Sequence, residues 1–345
     1  MFNLGIKVEN GYEGVVKNLF VQHSFSLKDI SKHEVFQAVF DILVGAKKAR
    51  IGPRPNAFHS GALIAVITSS IENGDPIQLL VPWGSKKPVP GTELDLAEVF
   101  AIQGLIELNE QVKAVYPPGV HFTFRVEDYS GYIAFKRLVQ VETDTTLYTA
   151  SLRKLIQLME APITTNLESE AAESILYSFD NIFEVVKPIM KSVLDGITPI
   201  DRLYEHGWKG NIPTEQREYY INAYRRLYPD ADADEYNDLL ADYLTMALAR
   251  ARSGLTLAPK TNHIKLSFVQ PIPGADWVTA LYRRTVADTM CRTHIPAWRA
   301  YASIHINKGD TELKLRNCRE EGQEAELTLT GKEQQLVLHT VVVDE

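Results

Sequence analysis

Cysteine is scarce in this chain: Cys291 and Cys318 are the two among 345 residues, and no Cys-x-x-Cys occurs. That excludes a disulfide framework and a four-thiolate zinc site, and it points to reduced thiols. Long apolar runs are missing too. The longest, Gly61 to Ile67, falls far below the roughly 18 residues that a membrane span requires. The first residues hold no basic segment followed by an apolar run, so no secretory signal is expected and the expected location is the cytoplasm. Positive charge is in deficit. A net charge of −8 and a pI near 5.7 argue against a general binder of nucleic acid or of anionic membranes. A local phosphate site remains compatible with that balance. Glycine-rich phosphate loops are absent, as are Gly-x-Ser-x-Gly and His-Glu-x-x-His. The nine histidines show no paired ligand spacing, so no metal site is expected and no cofactor is implied.

What is present is an ordinary globular composition, 45% hydrophobic and 23% charged, in a chain long enough to bury a sizeable core. Its centre is the stretch from Pro76 to Lys136. Pro76-Ile77-Gln78-Leu79-Leu80-Val81 reads as a buried strand, and it breaks at the turn-rich loop Pro82-Trp83-Gly84-Ser85-Lys86-Lys87-Pro88. A helix is predicted from Thr92, with Asp95 at its third position. Leu94, Ala97, Ala101, Leu105, Leu108, Val112 and Val115 recur at helical spacing, and Glu98 falls inside that apolar arc. After Tyr116-Pro117-Pro118-Gly119, residues Val120 to Val126 alternate as a strand, with His121, Thr123 and Arg125 on one face. Strand, helix, strand predicts a parallel pair, and ligands of such sheets bind beyond the carboxyl ends of the strands. Lys86, Lys87, Asp128 and Tyr129 are expected there.

Around this unit, helices are predicted over Val35 to Ala49, Ser60 to Asn73 and Leu147 to Met159, and Ile133 to Val141 is predicted to extend the sheet. Lys47, Lys48 and Arg50 form a basic cluster before a proline loop, which reads either as an anion site or as a solvated helix end. Glu168 to Gly254 is largely helical and reads as a cap. The acidic run Pro229 to Asp238 reads as a solvated connection, lacking the glycine and closing glutamate of a calcium loop. The last third turns to strands: His263 to Val269, Trp277 to Thr285, Tyr301 to Ile306, Leu313 to Arg316, Ala325 to Thr330 and Leu336 to Val343. The expected fold is α/β: a Rossmann-like mixed sheet core without its dinucleotide loop, a helical cap, and C-terminal antiparallel strands extending the sheet. Residues 1–40 read as an N-terminal extension and 41–345 as one domain, with a helical insertion at about 147–254.

The Pro76-Ile77 strand, the loop Lys86, Ala97-Glu98, Tyr116-Pro117-Pro118-Gly119 and Asp128 together resemble the isonitrile (isocyanide) synthases of pyoverdine and dityrosine biosynthesis. The likeness returns at His263-Ile264-Lys265-Leu266-Ser267 and at His294-Ile295-Pro296-Ala297-Trp298-Arg299, and it covers roughly residues 40 to 310. The chain departs from the family pattern at polar positions. Tyr129 stands where a glycine follows the aspartate, Lys265 stands for an arginine, and Val269 and Arg299 stand for histidines.

The resemblance implies a cofactor-free reaction of an amino acid, tyrosine or tryptophan for preference, with ribulose 5-phosphate. The amine adds to the ketone, water leaves, and the imine fragments so that a sugar carbon becomes the isonitrile carbon. Such chemistry requires cations for a phosphate and groups that shuttle protons. Lys86, Glu98, Asp128 and His263 are the candidate catalytic residues. Lys87, Tyr116, Lys265, Arg283 and Arg299 are the candidates for binding substrate and phosphate, and since Arg283 and Arg284 alternate in direction, at most one faces the site. The expected ligands are an amino acid and a sugar phosphate, with no nucleic acid and no membrane. An iron- and 2-oxoglutarate-dependent oxygenase is the implied pathway partner. Plainer readings stand beside these: Glu98 as a structural carboxylate paired with a core arginine, Lys86 and Lys87 as exposed loop charges, His263 as a packing residue, Asp128 as a turn cap. Two further functions stay open, a related carbon–nitrogen condensation and a catalytically silent relative that binds a small molecule or a protein.

Overall fold

The computed structural model describes residues 31–44, 49–50, 60–84, 94–135, 141–208, 232–255, 264–267, 281–283, 300–307, 310–317, 325–331 and 334–342. In chain order the first elements are α1 (Lys32–Val44), β1 (Ala49–Arg50), α2 (Ser60–Asn73), β2 (Ile77–Trp83), β3 (Leu94–Asp95), α3 (Leu96–Lys113) and β4 (Val120–Val126). Next come α4 (Asp128–Phe135), α5 (Val141–Leu158), β5 (Ile163–Leu167), α6 (Glu173–Leu194), the short α7 (Asp201–Tyr204) and α8 (Ala233–Ser253). The rest is extended: β6 (Ile264–Ser267), β7 (Leu281–Arg283), β8 (Ala300–Asn307), β9 (Asp310–Asn317), β10 (Ala325–Gly331) and β11 (Gln334–Val342).

β2 and β4 are buried along nearly their whole length, as strands covered on both faces must be, which is why they read as near-continuous apolar runs. They pair in parallel, Ile77 with Val120 through Trp83 with Val126, and β5 continues the parallel pairing beyond β4. The six-stranded sheet has the order β1-β7-β6-β2-β4-β5, parallel throughout except for β1 at one edge. α3 fixes the start of β4. The buried Asn109 side chain accepts the Val120 N–H at 2.8 Å, and Gly119, at φ 70°, sits where a Cβ would run into that side chain. The glycine of the Tyr-Pro-Pro-Gly turn is therefore required by close approach as well as by its left-handed backbone.

Among the described residues, two apolar cores result. One lies between the sheet and α1, α2, α3 and α5, and includes Val39, Ile67, Trp83, Ile102, Phe122, Phe124 and Leu152. The other joins α6 to α8 around Phe179, Phe183, Met190, Leu240 and Leu244. α8 opens on a capping box, in which Asp232 accepts the backbone N–H of Asp234 and Glu235, and closes on Gly254 in the left-handed conformation. Among the described residues, no helix is long and apolar enough to cross a membrane.

Several expectations are corrected. The helix carrying Glu98 starts at Leu96, not Thr92, because Leu94 and Asp95 are drawn into a short parallel pairing with β11. Where a strand is expected over Ile133 to Val141, Ile133 to Phe135 end α4 and Val141 begins α5, and residues 136–140 lie outside the described residues. The helix wins because Tyr129 and Ile133, four residues apart, lie together against the α6–α8 core. Residues 233–238 of the acidic run are helical, and Asp232 and Glu235 form the cap of α8. The C-terminal strands form a second sheet rather than extending the first, in the order β10-β11-β8-β9. Its hairpins β8–β9 and β10–β11 are antiparallel, but β11 returns alongside β8 in parallel.

Candidate active site

The carboxyl ends of β2, β4 and β5 lie level, with Trp83 opposite Val126 and Val126 opposite Leu167. Two buried polar networks meet along this edge. The first belongs to Glu98, on the first turn of α3 and wholly buried. The Tyr148 hydroxyl, from α5, donates to Glu98 Oε1 at 3.1 Å, and the Trp83 indole N–H donates to Tyr148 Oη at 3.0 Å. Trp83 stacks on Phe124 with centroids 4.3 Å apart and planes 12° from parallel.

The second network begins one residue beyond β4. Glu127 donates its backbone N–H to the Trp83 carbonyl at 2.8 Å, so the networks are joined through the main chain. Its carboxylate accepts from Arg250 Nη1 at 2.5 Å, and Arg250 Nε donates to Glu168 Oε1 at 2.7 Å. Glu168, immediately after β5, accepts at Oε2 from both the N–H and the hydroxyl of Ser130 on α4. Arg125, buried near the end of β4, donates Nε to the Leu255 carbonyl beyond α8. Burial works to lower the Arg250 guanidinium, but the charges and hydrogen bonds of Glu127 and Glu168 outweigh it and hold the group above the ordinary arginine range. Burial pushes the Glu168 carboxyl up, against the pull of Arg250; Glu127 adds to the push, and the Ser130 bonds oppose it. For Arg125, burial prevails and lowers the guanidinium.

Of the candidate residues, Glu98 and Asp128 stand at this carboxyl edge. Asp128 opens α4 and accepts the N–H and the hydroxyl of Ser169, tying the end of β4 to the turn after β5. Tyr116 stands at the other end of the sheet, which corrects its expected place in the pocket. Its hydroxyl, at 2.7 Å from both the Ser70 and the Asp75 carbonyls, binds the chain just ahead of β2. The main chain of Lys265 lies beside Leu80 in mid-strand, and that of Arg283 beside Ala49 of β1. Lys86, Lys87, His263 and Arg299 lie outside the described residues, as do Lys47, Lys48 and Arg284.

Trp83, Glu127, Tyr148, Glu168 and Arg250 belong to this edge and were not among the sequence candidates. A polar residue within a buried helical stripe was the available signal for Tyr148, the same signal that exposes Glu98. Tyr129, the departure from the Asp-Gly pair, anchors α4 to the helical layer. It donates to Asp180 of α6 at 2.8 and 3.0 Å and meets Phe179 edge-on. Burial, then the Asp180 carboxylate, push its hydroxyl up to about 12. A raised value means that this contact is at full strength below the unfolded tyrosine value of about 10 and is lost as pH climbs through the folded value. The stability difference between the parent and Tyr129→Phe should therefore be constant to pH 9 and shrink from pH 10 upward in urea titrations. A constant difference to pH 11 would contradict that assignment.

In α/β architectures ligands bind at the carboxyl edge of the parallel sheet, the edge where these polar groups gather. No protein-family model matches the chain, and no curated protein matches it. Among solved structures, it is similar to the PvcA protein of Pseudomonas aeruginosa, with a TM-score of 0.54 and 18% identity over 89% of this chain and 99% of that one. At that identity the likeness shows a shared fold.

Proposed function

We propose that the protein is an isonitrile synthase that joins the α-amino group of an amino acid, tyrosine or tryptophan first, to ribulose 5-phosphate without a cofactor. The observation that carries this reading is the position of Glu98. The Ala-Glu pair of the family motif falls on the first turn of α3, with the carboxylate buried at the carboxyl edge and held by a tyrosine hydroxyl. A buried carboxylate so placed can accept protons as the amine adds to the ketone and the adduct loses water. The fold shared with the PvcA protein is compatible with the same reading.

In this proposal Asp128 and His263 assist proton transfer, while Lys86 or Lys87, Lys265 and Arg299 converge on the sugar phosphate. Arginine suits that role through its planar, two-point donor geometry. An oxygenase dependent on iron and 2-oxoglutarate would act on the product. The test is incubation of the purified chain with tyrosine or tryptophan and ribulose 5-phosphate in the presence of EDTA, followed by mass spectrometry for the isonitrile. Product formation is expected to survive chelation and to need no nucleotide. Binding of either amino acid without turnover would replace this reading with that of a silent relative. Turnover of neither aromatic amino acid, with turnover of another amine, would shift it to a related condensation.

A further inference from the structure

We propose that Tyr148 is a positioning residue for Glu98, one end of a hydrogen-bond relay whose direction is dictated by Trp83. The inference rests on the role given to Glu98 above. An indole N–H can only donate, whereas a phenol carries one proton and can also accept. Since Trp83 Nε1 donates to Tyr148 Oη at 3.0 Å, the tyrosine oxygen is the acceptor in that contact. Its proton is directed to Glu98 Oε1, 3.1 Å away. Glu98 Oε1 therefore acts as an acceptor in this contact. A donor aimed at a carboxylate also offsets part of the cost of burying its charge.

The relay is rigid along its length. Trp83 is the last residue of β2; its ring is stacked on Phe124 and its carbonyl accepts the Glu127 N–H. Tyr148 and Trp83 are both fully buried, so water does not substitute for either partner at the outset. The carboxylate on α3 is thereby indexed to the carboxyl edge of β2 and β4 through two aromatic side chains with few rotatable bonds.

Tyr148→Phe removes one oxygen and leaves the ring in place. Its kcat should fall about tenfold, the loss expected when a reacting group is held less well, with KM for amino acid and sugar phosphate within about twofold of the parent. The loss should vanish in a Glu98→Gln background, where there is no longer a base to position. A purely structural role predicts instead that the loss persists in full in the double variant, and that result, or parental turnover in Tyr148→Phe, overturns the proposal. If Tyr148→Phe does not fold, Trp83→Phe breaks the other end of the relay and serves the same comparison. A second readout does not depend on turnover. The indole N–H resonance of Trp83, assigned by its disappearance in Trp83→Phe, should move in Glu98→Leu because the intervening hydroxyl loses its acceptor. An unmoved resonance there rejects the relay. If the parent makes no isonitrile, the catalytic reading of the site fails, and this resonance still decides whether Tyr148 transmits between the two side chains.

Discussion

Glu98→Gln should leave the protein folded and lower kcat at least a hundredfold, the lower end of what a lost general base costs. The amide has the volume of the carboxylate, and its oxygen can still accept from Tyr148, so the packing of α3 against the sheet and the Trp83–Tyr148 contact persist. What disappears is the capacity to take up a proton. A neutral amide is also less costly to bury than a charge, so the midpoint of unfolding should stay within a few degrees of the parent or rise. Steady-state kinetics with both substrates and thermal unfolding of the same preparation check the two halves together. If Glu98 were a structural carboxylate, the signs would reverse: stability would fall because a partner is lost, and turnover of the folded fraction would be near normal. That pattern would remove Glu98 from the site.

Why Glu98 is legible in the sequence and Glu168 is not follows from where each records its environment. Glu98 lies within the regular spacing of an amphipathic helix, and a carboxylate at a position that the period assigns to the core is visible from its neighbours alone. Glu168 and Arg250 meet across 82 residues, and Arg250 and Glu127 across 123. Nothing local marks these pairs, because each residue sits at an element end where charged side chains are ordinary. The strand that delivers Glu168 is hidden too. Ile163–Leu167 reads Ile-Thr-Thr-Asn-Leu, an edge strand with one buried side chain and two exposed polar positions, too short and too polar for its pattern to stand out.

The same contrast holds for the fold. α2 matches its predicted bounds, Ser60 to Asn73, since Gly74 at positive φ ends it and the next residues turn into β2. β2 and β4 are legible because central parallel strands must be apolar on both faces. The second sheet is legible as strands but not as a sheet. Alternation and turns locate the ends of β8, β10 and β11 to within two residues, while β9 begins three residues before its expected start at Leu313. Whether β11 lies beside β8 in parallel or beside the first sheet depends on edges that only the folded chain presents.

Arg250→Met should be the most destabilising single change at the carboxyl edge, by about 3–5 kcal/mol, because it removes the common partner of two carboxylates. Arg250 comes from the last turn of α8 and is 4% exposed; Glu127 and Glu168 end the paths of β4 and β5. Its fork places Nε on one carboxylate and Nη1 on the other, which a lysine cannot reproduce, so Arg250→Lys should recover only part of the loss. Nη2 is buried and has no hydrogen-bond partner among the described residues, so the arrangement draws its strength from the two charged contacts. Without the guanidinium, Glu168 keeps only the Ser130 donors in a site where burial already raises its carboxyl above 4.5. A folded value raised further means that the variant is closest to the parent below the unfolded glutamate value, and falls behind as pH rises, when the buried carboxyl must ionise or stay protonated against solvent. Adding Glu168→Gln should return part of the stability at neutral pH, since an amide can remain neutral beside Ser130. Denaturant midpoints from pH 4 to 8 for the parent, the single variants and the double variant measure this directly. Hydrogen exchange should show the loss first in the α8 amides, because Arg250 ties that helix to the sheet edge. A variant as stable as the parent across that range would mean that the ion pairs and their desolvation cancel, and that the helical layer is held by the apolar α6–α8 and α4 contacts alone.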